Sequence, residues 1–216
     1  MIIIIKNVLK LLGSFFICSL GIIFMINADL GLAPWDVLHQ GVAQRFNLTM
    51  GNVSIIVGFI VVVLDTVLGE KVGWATILNM IFIGVFMDVI TFTNIVPNAN
   101  GLISGIIMLI IGMILMAIGS TFYLGCAMGS GPRDGLMVAL QKKTNKPVKI
   151  IRGCIEISAL IVGYILGGSV GIGTIITAFG LGHILQIVFK IFNFRSEKVI
   201  HRSIIDDINL LKAKNN

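Results

Sequence analysis

The sequence predicts an all-α integral membrane protein with six transmembrane helices, arranged as two inverted-topology repeats of three helices. Three observations lead to this fold class. Charged residues make up only 12% of the 216-residue chain, whereas a soluble domain has about 25%. Apolar runs of about 20 residues recur along the whole length, as transmembrane helices require. Finally, the second half of the chain aligns with the first at a shift of 98 residues.

The internal repeat depends on residues that two merely apolar segments would not share. Moving the sequence by 98 positions aligns glycine, proline, aspartate and asparagine residues without a gap, which is typical of an internal duplication. Examples are Gly31/Gly129, Pro34/Pro132, Asp36/Asp134, Asn47/Asn145, Gly69/Gly167 and Gly84/Gly182.

The predicted elements follow in order along the chain. Repeat 1 (1–98) has apolar spans at 8–28, 51–68 and 73–93, and repeat 2 (99–194) has spans at 103–125, 150–167 and 171–192. The first apolar stretch exceeds the 7–15 residues of a signal-peptide core, so we expect it to remain as a mature helix. Residues 195–216 mix charged and apolar residues at helical spacing and predict an amphipathic tail on the cytoplasmic side.

The distribution of charge predicts the orientation. Lys6 and Lys10 lie at the N-terminal end of the first span, and basic residues concentrate in segment 142–152 and in the tail. Under the positive-inside rule these regions are cytoplasmic. Because three spans per repeat reverse the direction of the second repeat, the sequence predicts six spans with both termini in the cytoplasm.

Two similar segments, which we call the framed segments (31–46 and 129–144), follow the first span of each repeat. They begin "GLAPWDVL" and "GSGPRDGL". Proline is favoured at the first position of a helix, and aspartate in the first turn faces the positive end of the helix dipole. Each framed segment therefore predicts a short helix, too short to span a bilayer of about 30 Å. The sequence leaves open whether these helices are re-entrant or interfacial.

The starts of the framed segments are candidate substrate-binding positions, because interrupted segments at matching places in inverted repeats indicate a transport site. The candidates are Pro34, Trp35, Asp36, Pro132, Arg133 and Asp134. The two repeats differ where Trp35 aligns with Arg133, so Arg133 is a candidate anion contact. Two simpler explanations stay open: the aspartates serve only as helix-start residues, and Arg133 is an ordinary basic residue near the cytoplasmic face.

Ionisable residues inside the spans are candidates for ion or proton coupling, since burying charge in a membrane is costly. The candidates are Glu156, His183, Asp88 and Asp65. Glu156 and His183 lie deepest, and a carboxylate–histidine pair can relay protons. Asp65 and Asp88 lie near span ends, where their side chains can also reach the interface without a function.

Several classes of function are excluded or disfavoured by what the sequence lacks. The net charge of +6 reflects cytoplasmic loops and does not indicate nucleic-acid binding. The three cysteines have no metal-ligand or disulfide spacing. Nucleophile, phosphate-binding and paired-carboxylate motifs are also missing. We therefore predict a protein that is not an enzyme and has no metal or cofactor.

Four stretches together resemble the YczE/YyaS/YitT family of bacterial membrane proteins, most closely its YczE-like branch. They are "GLAPWDVLHQG", "VGWATILNMIFIG", "GSGPRDGLMVAL" and "GGSVGIGTIITAFGLGHILQ", within residues 10–190. The resemblance implies a multi-pass protein of the bacterial cytoplasmic membrane and assigns no substrate or site. Trp74 and Ala75 stand where repeat 2 has Ile172 and Gly173, so that turn differs between the repeats.

These observations favour a small secondary transporter that works by alternating access on an anionic or zwitterionic solute. In this hypothesis Arg133 contacts the charge, Trp35 packs on the solute, and Glu156 or His183 couples protons. The alternative is a non-transporting membrane regulator or scaffold that acts through a protein partner. A channel is disfavoured because no ring of like charges is evident. The predicted partners are the lipid bilayer and the solute, with a homodimer or another membrane protein left open.

Overall fold

The structure is a computed structural model that describes residues 2–195, 199 and 201–206, with side chains from Asn7 onward. In this part of the chain the predicted all-α class is confirmed, since the backbone forms eight α-helices, a helical turn at 204–206 and no strand. The helices are α1 (Ile2–Asn27), α2 (Pro34–Phe46), α3 (Met50–Val67), α4 (Trp74–Thr93), α5 (Leu102–Leu124), α6 (Pro132–Thr144), α7 (Val148–Ile165) and α8 (Ile172–Ile191).

Among the described residues, five helices are long and apolar enough to cross a membrane, namely α1 from Asn7, α3, α4, α5 and α8. They correspond to five of the six predicted spans. The remaining prediction, 150–167, falls on α7, which has 18 residues like α3 but carries Lys149, Arg152 and Glu156. These charges set α7 apart from the apolar helices. The chain is a membrane protein built from multiple apolar helices.

Helix boundaries recur at the same shift of 98 residues that aligns the sequence. The ends of α2, α3 and α4, moved by this shift, are the ends of α6, α7 and α8. Both short helices begin with proline, Pro34 and Pro132, as predicted. Both end at an asparagine in the left-handed region, where Asn47 has φ 55° and Asn145 has φ 53°. Residues in this conformation commonly terminate helices.

Helices α1 and α5 pack closely and run antiparallel through the core. A methyl group placed on Gly21 would lie 2.7 Å from the carbonyl oxygen of Gly112. One placed on Gly119 would lie 2.8 Å from the carbonyl oxygen of Ser14. The earlier residue of α1 thus meets the later residue of α5, which shows that the two helices run in opposite directions. Glycines at these points let the two backbones touch, as small residues do in membrane helix pairs.

Each short helix packs mainly against the other half of the chain. Helix α2 packs on α7, and α6 packs on α3. At the first crossing Gly163 of α7 lies against the backbone of Val37 and Leu38, and at the second Asp65 of α3 lies against Gly135 of α6. These two crossings are equivalent in the repeat. The glycine lies on the long helix α7 in the first crossing and on the short helix α6 in the second. Each half of the chain therefore packs its short helix against a long helix of the other half, an arrangement that we call the exchange of short helices.

The loop before each short helix is fixed by the start of the last helix of the other half. The backbone N–H of Gly173 donates a hydrogen bond to the carbonyl oxygen of Leu30 at 2.6 Å, and that of Ala75 donates to Met128 at 2.9 Å. Gly31 in the first of these loops has φ 98°, a backbone conformation that residues other than glycine rarely adopt. Backbone contacts therefore fix where α2 and α6 begin.

Residues 201–206 lie against two turns near the start of α6. The backbone N–H of Arg202 donates to Ala127 at 2.9 Å and that of Ile204 donates to Val72 at 3.0 Å. Asp206 pairs with Lys71 at 3.1 Å. Hydrogen bonds from Ser203, followed by the Lys71 contact, lower the pKa of Asp206 to about 2. Of the predicted amphipathic tail (195–216), only residues 195, 199 and 201–206 are described, and the rest lies outside the described residues.

Candidate functional site

A cavity of about 230 Å³ lies at the centre of the molecule, and each of the eight helices contributes to its wall. The first turns of α2 and α6 meet there through Pro34 and Pro132. Small polar side chains from four other helices also line it. They are Ser54 on α3, Asn79 on α4, Ser120 on α5 and Thr177 on α8.

Arg133 and Trp35, which occupy equivalent positions in the two repeats, contact each other at this cavity. The guanidinium carbon of Arg133 lies 4.7 Å from the centroid of the Trp35 ring. This is a cation–π contact, and it holds the guanidinium in place without occupying its N–H donors. In the part of the chain that the structure describes, no carboxylate oxygen lies within 4.0 Å of the guanidinium. The donors are therefore available to an anionic group.

Asp36 and His39 form a buried pair in the first turns of α2. Their side chains are 5% and 2% exposed, and His39 Nδ1 lies 3.7 Å from Asp36 Oδ1. Both atoms lack a hydrogen-bond partner among the described residues. Burial raises the pKa of Asp36, against the effect of nearby Arg133, and burial together with Arg133 lowers the pKa of His39. His39 also lines the cavity.

Asp134, the equivalent of Asp36 in repeat 2, has a partner that Asp36 lacks. The hydroxyl group of Tyr123 donates a hydrogen bond to Asp134 Oδ2 at 3.2 Å. Tyr123 corresponds in the repeat to Met25, which has no hydroxyl group to donate. The two aspartates thus share a position at the start of a short helix but differ in hydrogen bonding.

Glu156 lies on the wall of the cavity and is paired within its own helix. Its Oε1 atom accepts a hydrogen bond from Nε of Arg152 at 2.9 Å. Both residues lie on α7 one turn apart and both line the cavity. The charge of Glu156 is therefore partly neutralised, while its second oxygen forms no ion pair in the described part of the chain.

Asp88 is positioned away from the cavity and caps the start of α3. Its two carboxylate oxygens accept hydrogen bonds from the Thr49 hydroxyl at 2.6 Å and from the Gly51 backbone N–H at 2.9 Å. Unpaired N–H groups at a helix start need such acceptors. The geometry indicates a structural role for this carboxylate.

We expect Asp88→Ala to lower the free energy of unfolding by about 1–2 kcal/mol, because it removes two capping hydrogen bonds. Thermal unfolding of the purified protein in detergent measures this. Thr49→Val also removes two hydrogen bonds, because the Thr49 hydroxyl donates to Asp88 and accepts from the backbone N–H of Asn52, and it should cost a similar amount. A variant that kept its stability but lost the ability to bind a solute would instead assign Asp88 to the binding site.

Asp65 is 2% exposed and lies at the crossing of α3 and α6, with its Oδ1 atom unpartnered among the described residues. It does not line the cavity. His183 is exposed on α8, where its Nδ1 atom lies 2.8 Å from the carbonyl oxygen of Phe179. It is also absent from the cavity wall. The structure thus does not bring Glu156 and His183 to the same cavity.

The candidates from the framed segments come together more closely than those from the spans. Pro34, Trp35, Pro132, Arg133 and Asp134 line the cavity, together with Glu156. His39 was not among the residues predicted from the sequence. Its signal was available, since it lies three residues after Asp36 and thus on the same helix face.

The chain has recognisable relatives among known proteins. The profile described as "Family of unknown function (DUF6198)" matches residues 5–190. The chain is 38% identical to the "Uncharacterized membrane protein YczE" of Bacillus subtilis over 160 residues, covering 73% of each chain. It is 34% identical to an uncharacterized protein of Haemophilus influenzae, covering 86% of this chain and 84% of the relative. It is 29% identical to YyaS of Bacillus subtilis, covering 81% and 88%. No solved structure matches significantly.

Proposed function

The chain belongs to the family of unknown function DUF6198, and from its central cavity we propose that it is a small secondary transporter for an anionic or zwitterionic solute. One observation carries the proposal. The guanidinium of Arg133 lies on the ring of Trp35 at a cavity lined by all eight helices, and no carboxylate in the described chain pairs with it. The relatives YczE and YyaS confirm the family that the sequence motifs resemble.

The dimensions of the cavity support a small solute. Its volume of about 230 Å³ is below the 300–1,000 Å³ typical of pockets for drug-sized ligands. In this proposal Arg133 binds the negative charge of the solute through several N–H groups. Trp35 holds the guanidinium flat and packs on the apolar part of the solute.

Alternating access requires two halves that move against each other around the cavity, and several contacts support this arrangement. Helices α1 and α5, equivalent in the repeat, run antiparallel, as inverted halves would. The exchange of α2 and α6 places one short helix from each half at the same cavity. We propose six spans including α7, with both termini cytoplasmic, in the bacterial cytoplasmic membrane.

Labelling of single cysteines tests the proposed orientation. After Cys18, Cys126 and Cys154 are replaced with alanine, one cysteine is introduced at Asn98 or at Lys146. We expect an impermeant maleimide applied to intact cells to label only the position at Asn98. Labelling of both positions, or of Lys146 alone, would contradict the inverted arrangement.

A ligand screen tests the function. Purified protein is unfolded thermally with amino acids, carboxylates, and sulfur and phosphate anions at two pH values. A ligand at 100 times its dissociation constant should add about 2.7 kcal/mol of stability. We expect one anionic or zwitterionic class to bind and the same class to accumulate in proteoliposomes under an ion gradient.

Two variants show whether binding occurs in the cavity. Ser120→Trp places an indole in the cavity wall and should abolish binding, whereas Ser158→Trp on the exposed face of α7 should leave it intact. Binding without flux would favour the membrane regulator over the transporter. The absence of binding by every class at both pH values would overturn the proposal.

A further inference from the structure

The Asp36–His39 pair is the one place on α2 where an acid and a base are both buried and incompletely hydrogen bonded. The facing atoms Oδ1 and Nδ1 are 3.7 Å apart and have no other partner among the described residues. This distance is too long for a direct hydrogen bond and short enough for one to form after a small movement. His39 reaches the cavity, which connects the pair to the proposed solute site.

The charged surroundings of the pair are simple. From α6, the guanidinium of Arg133 acts on both Asp36 and His39. Helix α3 contributes no ionisable residue to the cavity wall, and its own Asp65 lies at the α6 crossing instead. The other ionisable groups at the cavity have partners: Asp134 with Tyr123, and Glu156 with Arg152. Arg133 is therefore the charge that controls the pair.

We propose that Asp36 and His39 together bind one exchangeable proton and that this proton is the coupling ion for transport. The second part rests on the proposed function, whereas the first part does not. With the proton absent, the Asp36 carboxylate balances the charge of Arg133. With the proton present the pair is neutral overall, and the guanidinium is free to attract an anion.

This arrangement links the two ligands through electrostatics. An anion on Arg133 neutralises the positive charge that favours the deprotonated pair, so the pair then binds its proton more tightly. By thermodynamic reciprocity a proton on the pair strengthens anion binding by the same factor. The solute and the proton should therefore bind together and move in the same direction.

Trp35 provides a probe of the pair that needs no substrate. It precedes Asp36 in the chain and contacts Arg133, and the only other tryptophan is Trp74. In a Trp74→Phe background, the fluorescence of Trp35 is titrated from pH 4.5 to 9 in detergent. We expect a single transition corresponding to one proton.

Substitutions in the same background assign the transition. Asp36→Asn should abolish it, and His39→Gln should move its midpoint by at least one pH unit, a tenfold change in proton affinity. His183→Gln and Asp29→Asn, at positions outside the cavity wall, should leave it unchanged. If Asp36→Asn does not fold, the result for His39→Gln decides. No transition, or one that His39→Gln does not move, would overturn the proton site.

The titration and the ligand screen separate the two proposals. A proton transition without a solute would retain the proton site and contradict the transporter. A bound and transported solute with no such transition would retain the transporter and remove Asp36 and His39 from coupling. A solute whose uptake acidifies the proteoliposome interior in wild type but not in His39→Gln would support both.

Discussion

Replacing Arg133 with glutamine should weaken binding of the solute by roughly 30-fold or more, since removal of one partner from a buried charge pair costs about 2–5 kcal/mol. The stabilisation that a ligand gives wild type at 100 times its dissociation constant would then fall from about 2.7 to below about 1 kcal/mol. Thermal unfolding in detergent, repeated over a range of ligand concentrations, measures both quantities.

The size of this effect follows from the surroundings of the guanidinium. Arg133 has no ion-pair partner among the described residues, so the solute would supply the anion that it lacks. Glutamine keeps a hydrogen-bond donor but loses the charge and the contact with the ring of Trp35. Lysine keeps the charge without the planar fork, and we expect Arg133→Lys to retain only part of the affinity.

Arg45 supplies the matched control for Arg133. It lies in the last turn of α2, is exposed and makes no contribution to the cavity wall. Arg45→Gln removes the same charge from the protein and should leave the dissociation constant unchanged. Equal losses in the two variants would show that net charge, and not the cavity contact, determines binding.

Replacing Gly163 with alanine should destabilise the protein by about 3 kcal/mol, at the upper end of the cost of overpacking. For a chain of this length that corresponds to a fall in the midpoint of thermal unfolding of roughly 6–12 °C. The added methyl group would collide with the backbone of Val37 and Leu38. Because backbone atoms cannot rotate away as a side chain can, α2 and α7 would have to separate.

Gly153 on the same helix provides the control for this prediction. Apart from its chain neighbours and the nearby backbone of α7 itself, no described atom lies within 4 Å of a methyl group placed there. Gly153→Ala should therefore change stability by less than about 1 kcal/mol, with helix propensity in its favour. If Gly163→Ala were as stable as Gly153→Ala, the close crossing of α2 and α7 would be wrong.

The positions of the helices could be predicted from the sequence because proline, glycine and asparagine begin or end helices through their local backbone preferences. Pro34 and Pro132 begin helices at the predicted residues, and Asn47 and Asn145 follow their ends. The apolar spans agree with α1, α3, α4, α5 and α8 to within a few residues, apart from the N-terminal extension of α1. These features depend on a few neighbouring residues and need no knowledge of the tertiary structure.

The contacts between helices could not be predicted in the same way. Nothing in the pattern of apolar residues indicates that α2 packs on α7 of the other half, because a glycine such as Gly163 fits many crossings. His183 shows a second limit. A polar residue in a span predicts a function, yet this ring satisfies one nitrogen with the carbonyl oxygen of Phe179 four residues earlier. The pairing of Glu156 with Arg152, by contrast, has the spacing of a local helix contact.

The exchange of short helices imposes an order on synthesis. About 125 residues separate Leu38 from Gly163, the residue of α7 that packs against it. At a translation rate of about 5–20 residues per second, Gly163 of α7 is synthesised roughly 6–25 seconds after Leu38 of α2. During this interval Asp36 and His39 have no second half around them. The nascent first half therefore depends on lipid, water or the insertion machinery to shield a segment that only the completed chain can bury.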